Sequence, residues 1–232
     1  FLSLSYDKVI ANNLTHRYYC CDVMEKDSLT VKILEWENPS SCMIFCNKKR
    51  DVSYLEQVLH NQGFNVAALS GDVAQKQREK TLENFRKEKL NILICTDVAA
   101  RGIDVSHVTH VIIFDHPEDR EVYVHRSGRT ARAGKTGVAI SLITPVEEIE
   151  IQKTAADFGI HFEKMPPITD EMLNEKIGMR LLENLEQQKN LLGPLDRQRL
   201  SRYLPLVDNM VQDKYLKESL CFLLDSFLKK RI

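Results

Sequence analysis

Arginine recurs at every third position in HRSGRTARAG, residues 125–134: Arg126, Arg129 and Arg132, with Lys135 next and no acid among them, in a chain whose formal net charge is only −1. A guanidinium stays charged and offers a planar fork of donors that matches the paired oxygens of a phosphate. If the helix opened by Pro117, Glu118 and Asp119 runs through this stretch, about 100° per residue fans the three arginines over about 120° of one side. Gly128, Ala131, Ala133 and Gly134 keep the surroundings small. Two readings stay open on residue type alone. One is contact with a closely approaching phosphate. The other is a solvated basic face that complements the helix dipole, worth about 0.3–1 kcal/mol per charge near a terminus.

Two further stretches bear on the choice. TDVAARGIDV, residues 96–105, follows the apolar run NILIC and sets Thr96, Asp97, Arg101, Gly102 and Asp104 in one loop. Thr96 and Asp97 suit a helix cap and Gly102 a turn. The same residue types suit contacts to sugar hydroxyls and phosphates. SGDVAQKQREKTLENFR, residues 70–86, follows the run NVAAL and offers Ser70, Gly71, Gln75 and Arg78 at a helix start, where backbone N–H groups favour anions.

The elements that must position these loops follow from the apolar pattern. HRYYCCDV, CMIFC, NVAAL, NILICT, HVIIFD and VAISLI are near-continuous apolar runs, as expected of strands covered on both faces. Between them KDSLTVKILEWE, RDVSYLEQVLHNQ, AQKQREKTLENFRKEK, EDREVYVHRS and EEIEIQKTAADF carry helical spacing, and Gly63 supplies a helix stop. This alternation predicts βαβ units and a three-layer α/β domain with a mainly parallel sheet over residues 1–165, whose ligands gather at the carboxyl ends of the strands. After EKMPPITDE only helical patterns follow, broken by LLGPLD and YLPLVD, with Gly193 read as a helix stop and Pro194 as the next start. Residues 166–232 are therefore expected to form a small all-helical unit.

Composition sets the class. With 232 residues, 43% hydrophobic and 28% charged, the chain reads as globular rather than disordered. No apolar run reaches the roughly 20 residues that span a bilayer, so no membrane is expected, and FLSLSYDKVIANN lacks the pattern of a signal peptide. Starting at Phe1, the chain reads as a piece of something longer. Cys20, Cys21, Cys42, Cys46, Cys95 and Cys221 form no CxxC pair. Buried free thiols in a reducing compartment, the cytoplasm, are expected, with no metal site.

In order and spacing, MIFCNKKRDV, SGDVAQKQREKTLENFRK, TDVAARGIDV, HVIIFDHP and HRSGRTARAG resemble the C-terminal RecA-like domain of DEAD-box ATP-dependent RNA helicases. The resemblance covers residues 1–165, and the opening His125 of the last motif is its most group-specific feature. It implies that Arg129 and Arg132 reach the γ-phosphate of ATP as arginine fingers. It implies that Gly102 and Asp104 hold the ATP ribose. His125, Arg126 and Asp97 would couple the domain to its N-terminal RecA-like partner. Asn47, Gly71, Arg78, Thr96 and Arg101 would grip the sugar-phosphate backbone of single-stranded RNA, largely regardless of sequence. This sequence has no GxxxxGKT loop and no Asp-Glu-Ala-Asp tetrad. ATP and Mg2+ are therefore expected mainly on the N-terminal domain, and this stretch alone is expected to be inactive as an ATPase.

In LKESLCFLLDSFLKKRI, Leu216, Leu220, Leu223, Leu224 and Phe227 form a helical stripe that Cys221, Phe222 and Leu228 widen beyond the roughly 100° of an ordinary surface helix. The segment resembles the homodimerisation unit that follows this domain in some DEAD-box helicases, and a homodimer through residues 170–232 is the expectation, with docking onto the α/β domain or binding of another protein as the alternatives. A competing function is a dimerisation and RNA-binding module with no role for nucleotide. The complete arginine motif and Asp104 weigh against it.

Overall fold

The computed structural model describes residues 13–71, 73–100 and 107–229. They divide into two compact units, one ending at Thr169 and one beginning at Asp170.

The first unit is built on a seven-stranded sheet of order β3-β4-β2-β5-β6-β1-β7. The strands are β1 (Leu14–Cys20), β2 (Cys42–Phe45), β3 (Val66–Leu69), β4 (Ile92–Cys95), β5 (His110–Ile113), β6 (Gly137–Ile143) and β7 (Phe162–Lys164). Every neighbouring pair is parallel. The helices of this unit are α1 (Lys26–Glu37), α2 (Lys49–Asn61), α3 (Gln75–Arg86), the single turn α4 (Asp97–Ala100), α5 (Arg120–Ser127) and α6 (Glu148–Phe158). Strands β2 and β4 are buried at every residue, as continuous apolar runs must be when helices cover both faces. The expected α/β fold with a parallel sheet is therefore the observed one.

Two elements depart from the expectation. β7 is a three-residue edge strand with two exposed residues, too short and too polar to stand out as a strand. Helix α5 ends at Ser127 and is capped by Gly128, so Arg129 and Arg132 lie beyond it. The fan of three arginines over one helical face does not form, because Gly128 ends the helical path on which it depends.

The second unit contains α7 (Asp170–Asn190), α8 (Pro194–Ser201), α9 (Leu204–Gln212) and α10 (Lys214–Lys229). Gly193 is not the stop of α7, which ends at Asn190. It is the N-cap of α8 at φ −72°, with Pro194 in the first turn where a missing N–H costs nothing. α9 packs on α10. Among the described residues no helix is long and apolar enough to cross a membrane.

Candidate functional site

Strands β3, β4, β2 and β5 are successive neighbours, so the segments leaving their carboxyl ends lie in a row. Gly71 follows β3, Thr96 and Asp97 follow β4, Asn47 follows β2, and Asp115 and His116 follow β5. Helix α5 begins after that last exit, and the Asp119 side chain caps it by accepting from the Glu121 N–H.

Arg126, in the last turn of α5, points inward and is 2% exposed. Its Nε and Nη2 donate to Asp97 Oδ1 and Oδ2 at 2.8 and 2.7 Å, a bidentate pair. Nη1 donates to Asp115 O and Nη2 to Asn47 Oδ1, both at 2.7 Å. The guanidinium carbon lies 5.6 Å from the centroid of the Phe45 ring. A buried cation is tolerated only when paired and hydrogen-bonded, and these contacts meet that condition.

Arg129 and Arg132 sit differently, half-buried on either side of a buried Thr130. Thr130 donates its hydroxyl to Val108 O at 2.6 Å, and Ala131 takes the left-handed backbone at φ 57°. Gly137 permits this crossing: a Cβ there would lie 2.3 Å from Thr130 Oγ1 and 2.6 Å from the Ala131 nitrogen. Arg132 Nε donates to Gly128 O at 3.1 Å. Burial, and after it the like charge of Arg132, holds the Arg129 guanidinium below its ordinary value. Two partly desolvated cations in each other's field are stabilised by an anion between or beside them. Arg129, His125, Val122, Ala100, Asp97, Arg126 and Phe45 line an open cleft of about 240 Å³.

The other expected residues fall along the same edge. Thr96 is buried immediately after β4. Arg78, half-buried on α3, donates from Nη2 to Ala99 O at 2.7 Å, which joins α3 to the turn carrying Asp97. Asn47 is exposed, yet its side chain is engaged, accepting from Arg126 and donating through Nδ2 to His116 O at 3.0 Å. At Gly71 an added Cβ would meet only Lys49, at 3.6 Å or more, an ordinary contact. His125 is exposed. Arg101, Gly102 and Asp104 lie outside the described residues.

Sequence reasoning missed the groups that fix the β5 exit. Lys26, 4% exposed, donates from Nζ to Phe114 O at 3.0 Å. Asp115 accepts the Asn47 backbone N–H on Oδ2 at 2.9 Å. The carbonyls of Phe114, Asp115 and His116 thus each receive a side-chain donor from a different element. The signal available was an acid directly after a buried strand, in HVIIFD. All six cysteines are free; Cys42, Cys46 and Cys95 are buried and Cys221 is exposed. Burial pushes the Cys95 thiol up to about 12, so it is inert at neutral pH.

Comparison with known proteins agrees with this geometry. Residues 25–134 match the helicase conserved C-terminal domain. The DEAD-box ATP-dependent RNA helicase CshA of Geobacillus kaustophilus is 38% identical over 193 residues, covering 79% of this chain and 41% of the relative. The structure of E. coli DEAD-box protein SrmB bound to regulator of ribonuclease activity A superposes with a TM-score of 0.63 at 33% identity, over 68% of this chain and 93% of that one. S. cerevisiae Dbp5 bound to RNA and ADP BeF3 gives 0.67 at 28% identity, over 76% of this chain and 48% of that one. The chain spans about two fifths of the length of the curated relatives it matches.

Proposed function

From the premise that the chain belongs to the DEAD-box helicases, as their C-terminal RecA-like domain, we propose that it serves as the C-terminal motor half of an ATP-dependent RNA helicase. In this reading an N-terminal RecA-like domain holds ATP, and the two domains close across a cleft. Arg129 and Arg132 then meet the γ-phosphate and stabilise the charge that is transferred. The observation that carries the reading is the placement of these two arginines: half-buried, close enough for one to perturb the other, joined by a left-handed turn, with Arg129 lining the cleft bounded by Phe45 and Asp97 at the carboxyl ends of β2 and β4.

RNA takes the neighbouring loops. Asn47, Gly71, Thr96 and Arg78 leave adjacent strands along one edge, and Arg101 belongs to the same loop as Thr96 in the sequence. Contacts from such a row reach successive phosphates and sugars rather than bases, so binding is largely indifferent to sequence. Gly102 and Asp104 are assigned to the ATP ribose, and His125, Arg126 and Asp97 to coupling with the N-terminal domain. Among the described residues no group of three His, Cys, Asp or Glu side chains could hold a metal ion. In this reading Mg2+, like ATP, is held mainly by the N-terminal domain, while this half supplies contacts to phosphate, ribose and RNA.

The helical unit is assigned to homodimerisation through residues 170–232. Support comes from the apolar side chains it leaves exposed, Leu204, Leu206, Val207 and Val211 on α9 and Phe222, Leu223 and Leu224 on α10.

The test of the motor reading uses the full-length protein with RNA. Arg129→Ala or Arg132→Ala is expected to lower ATP turnover by roughly a thousandfold, the scale of arginine-finger losses, with the melting temperature little changed. Near-normal turnover in both variants overturns the assignment.

A further inference from the structure

Two buried cations meet at the exit of β5. Arg126 Nη1 donates to Asp115 O and Lys26 Nζ donates to Phe114 O at 3.0 Å, so successive carbonyls are held from two different helices, α5 and α1. Lys26 opens α1 and is 4% exposed. Its ammonium lies 6.0 Å from the centroid of the Phe114 ring and 3.7 Å from Glu147 Oε2. That oxygen is already engaged, accepting the Thr144 N–H at 2.7 Å and the Thr144 hydroxyl at 2.9 Å just after β6. Strands β5, β6 and β1 are successive neighbours, and one side chain that follows β1 thus engages groups that follow both of the others.

Stability alone does not account for an ammonium at this place. Its separation from Glu147 exceeds the roughly 2.7–2.9 Å of a charge-assisted hydrogen bond. Replacing a buried pair of charges by well-packed apolar side chains of similar volume is often neutral or stabilising. What the ammonium adds is a directed donor, and the carbonyl it meets is the one immediately before Asp115. His116 to Asp119 alone separate Asp115 from α5, a helix of eight residues. At the far end of that helix the Arg129 backbone N–H donates to Arg126 O at 3.0 Å. We infer that Lys26 is a positioning residue for ATP turnover: its hold on Phe114 O fixes where the chain turns from β5 towards α5, and so where α5 delivers Arg129. The inference rests on the motor reading above and adds to it a residue outside the loops assigned to phosphate, ribose and RNA. A close-packed interior passes such a shift on instead of absorbing it.

The experiment measures ATP turnover of the full-length protein with saturating single-stranded RNA, counted per folded molecule and well below the melting temperature of each variant. Lys26→Met fills the site but donates nothing. It is expected to lose about tenfold in kcat, since small misplacements of reacting groups cost this much or more, while KM for ATP stays within about twofold. The double variant Lys26→Met, Glu147→Gln is expected to be as slow as Lys26→Met, because the bond that matters is the one to Phe114 O. A wild-type kcat in Lys26→Met overturns the inference, for a residue that serves stability alone gives that result. So does recovery of the rate in the double variant, which would trace the loss to an unpaired Glu147 carboxylate. Should Lys26→Met be unfolded at the assay temperature, Lys26→Arg decides in its place. A planar guanidinium cannot put one nitrogen where Nζ lies without displacing Phe114, so the same loss is required and a wild-type rate overturns the inference. Arg129→Ala is measured alongside. Normal turnover there means that the motor reading has failed; a slow Arg129→Ala beside a normal Lys26→Met removes only the role of Lys26.

Discussion

Arg126 in the sheet unit and Leu224 in the helical unit occupy each other's usual surroundings. The guanidinium is 2% exposed and the leucine 42%. Charged side chains are almost never fully buried unless paired, and Arg126 is paired within the chain by Asp97, Asn47 and the Asp115 carbonyl. The exposure of Leu224 is shared by Leu223, Phe222, Leu216, Val211, Val207, Leu206 and Leu204 along α9 and α10. Buried residues of the helical unit are few, Leu173 and Leu181 on α7. The sheet unit thus answers its own unusual feature internally, and spends it on holding a site. The helical unit leaves many apolar side chains exposed along α9 and α10, and exposed apolar surface of this kind marks sites of association.

The largest effect that could break this contrast lies in the helical unit. If a second copy covers α9 and α10, the chain sediments at twice 26.8 kDa at micromolar concentration. Leu224→Asp would then bury an unpaired carboxylate in the interface and raise the dimer dissociation constant by about a hundredfold or more. The fold of the sheet unit should be untouched, because Leu224 belongs to the other compact unit. A wild-type chain that sediments as one 26.8 kDa species removes the second copy and leaves the exposed stripe to another partner.

A smaller effect probes the sheet unit. Gly137→Ala puts a methyl 2.3 Å from Thr130 Oγ1 and 2.6 Å from the Ala131 nitrogen, and backbone cannot step aside as a flexible side chain can. The expected cost is about 3 kcal/mol, the upper end for overpacking. Hydrogen exchange followed by mass spectrometry should show it in β1, β5 and β6, while amides in α9 and α10 keep their protection. Equal losses in both units would show that they unfold as one body and that the contrast between them is superficial.

These two regions were not equally legible. Strands β1–β6 and helices α1, α2, α3, α5 and α6 could be read because buried parallel strands are long apolar runs and their helices carry a clear 3.6-residue period. β7 could not, since an edge strand of Phe162, Glu163 and Lys164 has neither length nor apolar run. Residue types announced the arginine site, but the direction of each arginine was invisible. Arg126 is held by Asp97 and Asn47, 29 and 79 residues away, and local pattern carries no information about such partners. Extending α5 through Gly128 also placed all three arginines on one face. In the sequence Gly128 suggests only room for a close approach, whereas in the fold it ends the helix. The left-handed Ala131 is a further local exception, because alanine rarely marks such a turn.

The smallest effect separates two kinds of buried polar group inside the sheet unit. Arg126 has partners for its donors, whereas His16, 5% exposed on β1, shares a 2.7 Å hydrogen bond between Nδ1 and the Tyr123 hydroxyl while its Nε2 is buried without a partner. Burial drives the His16 pKa down from 6.5 to about 4. The imidazole is thus neutral in the folded chain at pH values where the unfolded chain already binds a proton. Between pH 6.5 and 4 the unfolded state takes up more protons, so stability falls as pH falls through this window and is flat above it on this account. At about 1.4 kcal/mol per pH unit, the loss by pH 5 is about 2 kcal/mol. His116 is lowered by burial too and adds a fall of the same sign. Comparing the wild type with His16→Phe in denaturant titrations from pH 7.5 to 4.5 isolates the His16 share, since His116 and the carboxylates remain in both. The variant loses the bond to the Tyr123 hydroxyl at every pH, but its stability should fall less steeply on acidification than that of the wild type. Parallel pH profiles would mean that His16 is solvated or finds a partner for its second nitrogen, and that the sheet unit tolerates no more buried polarity than it can pair.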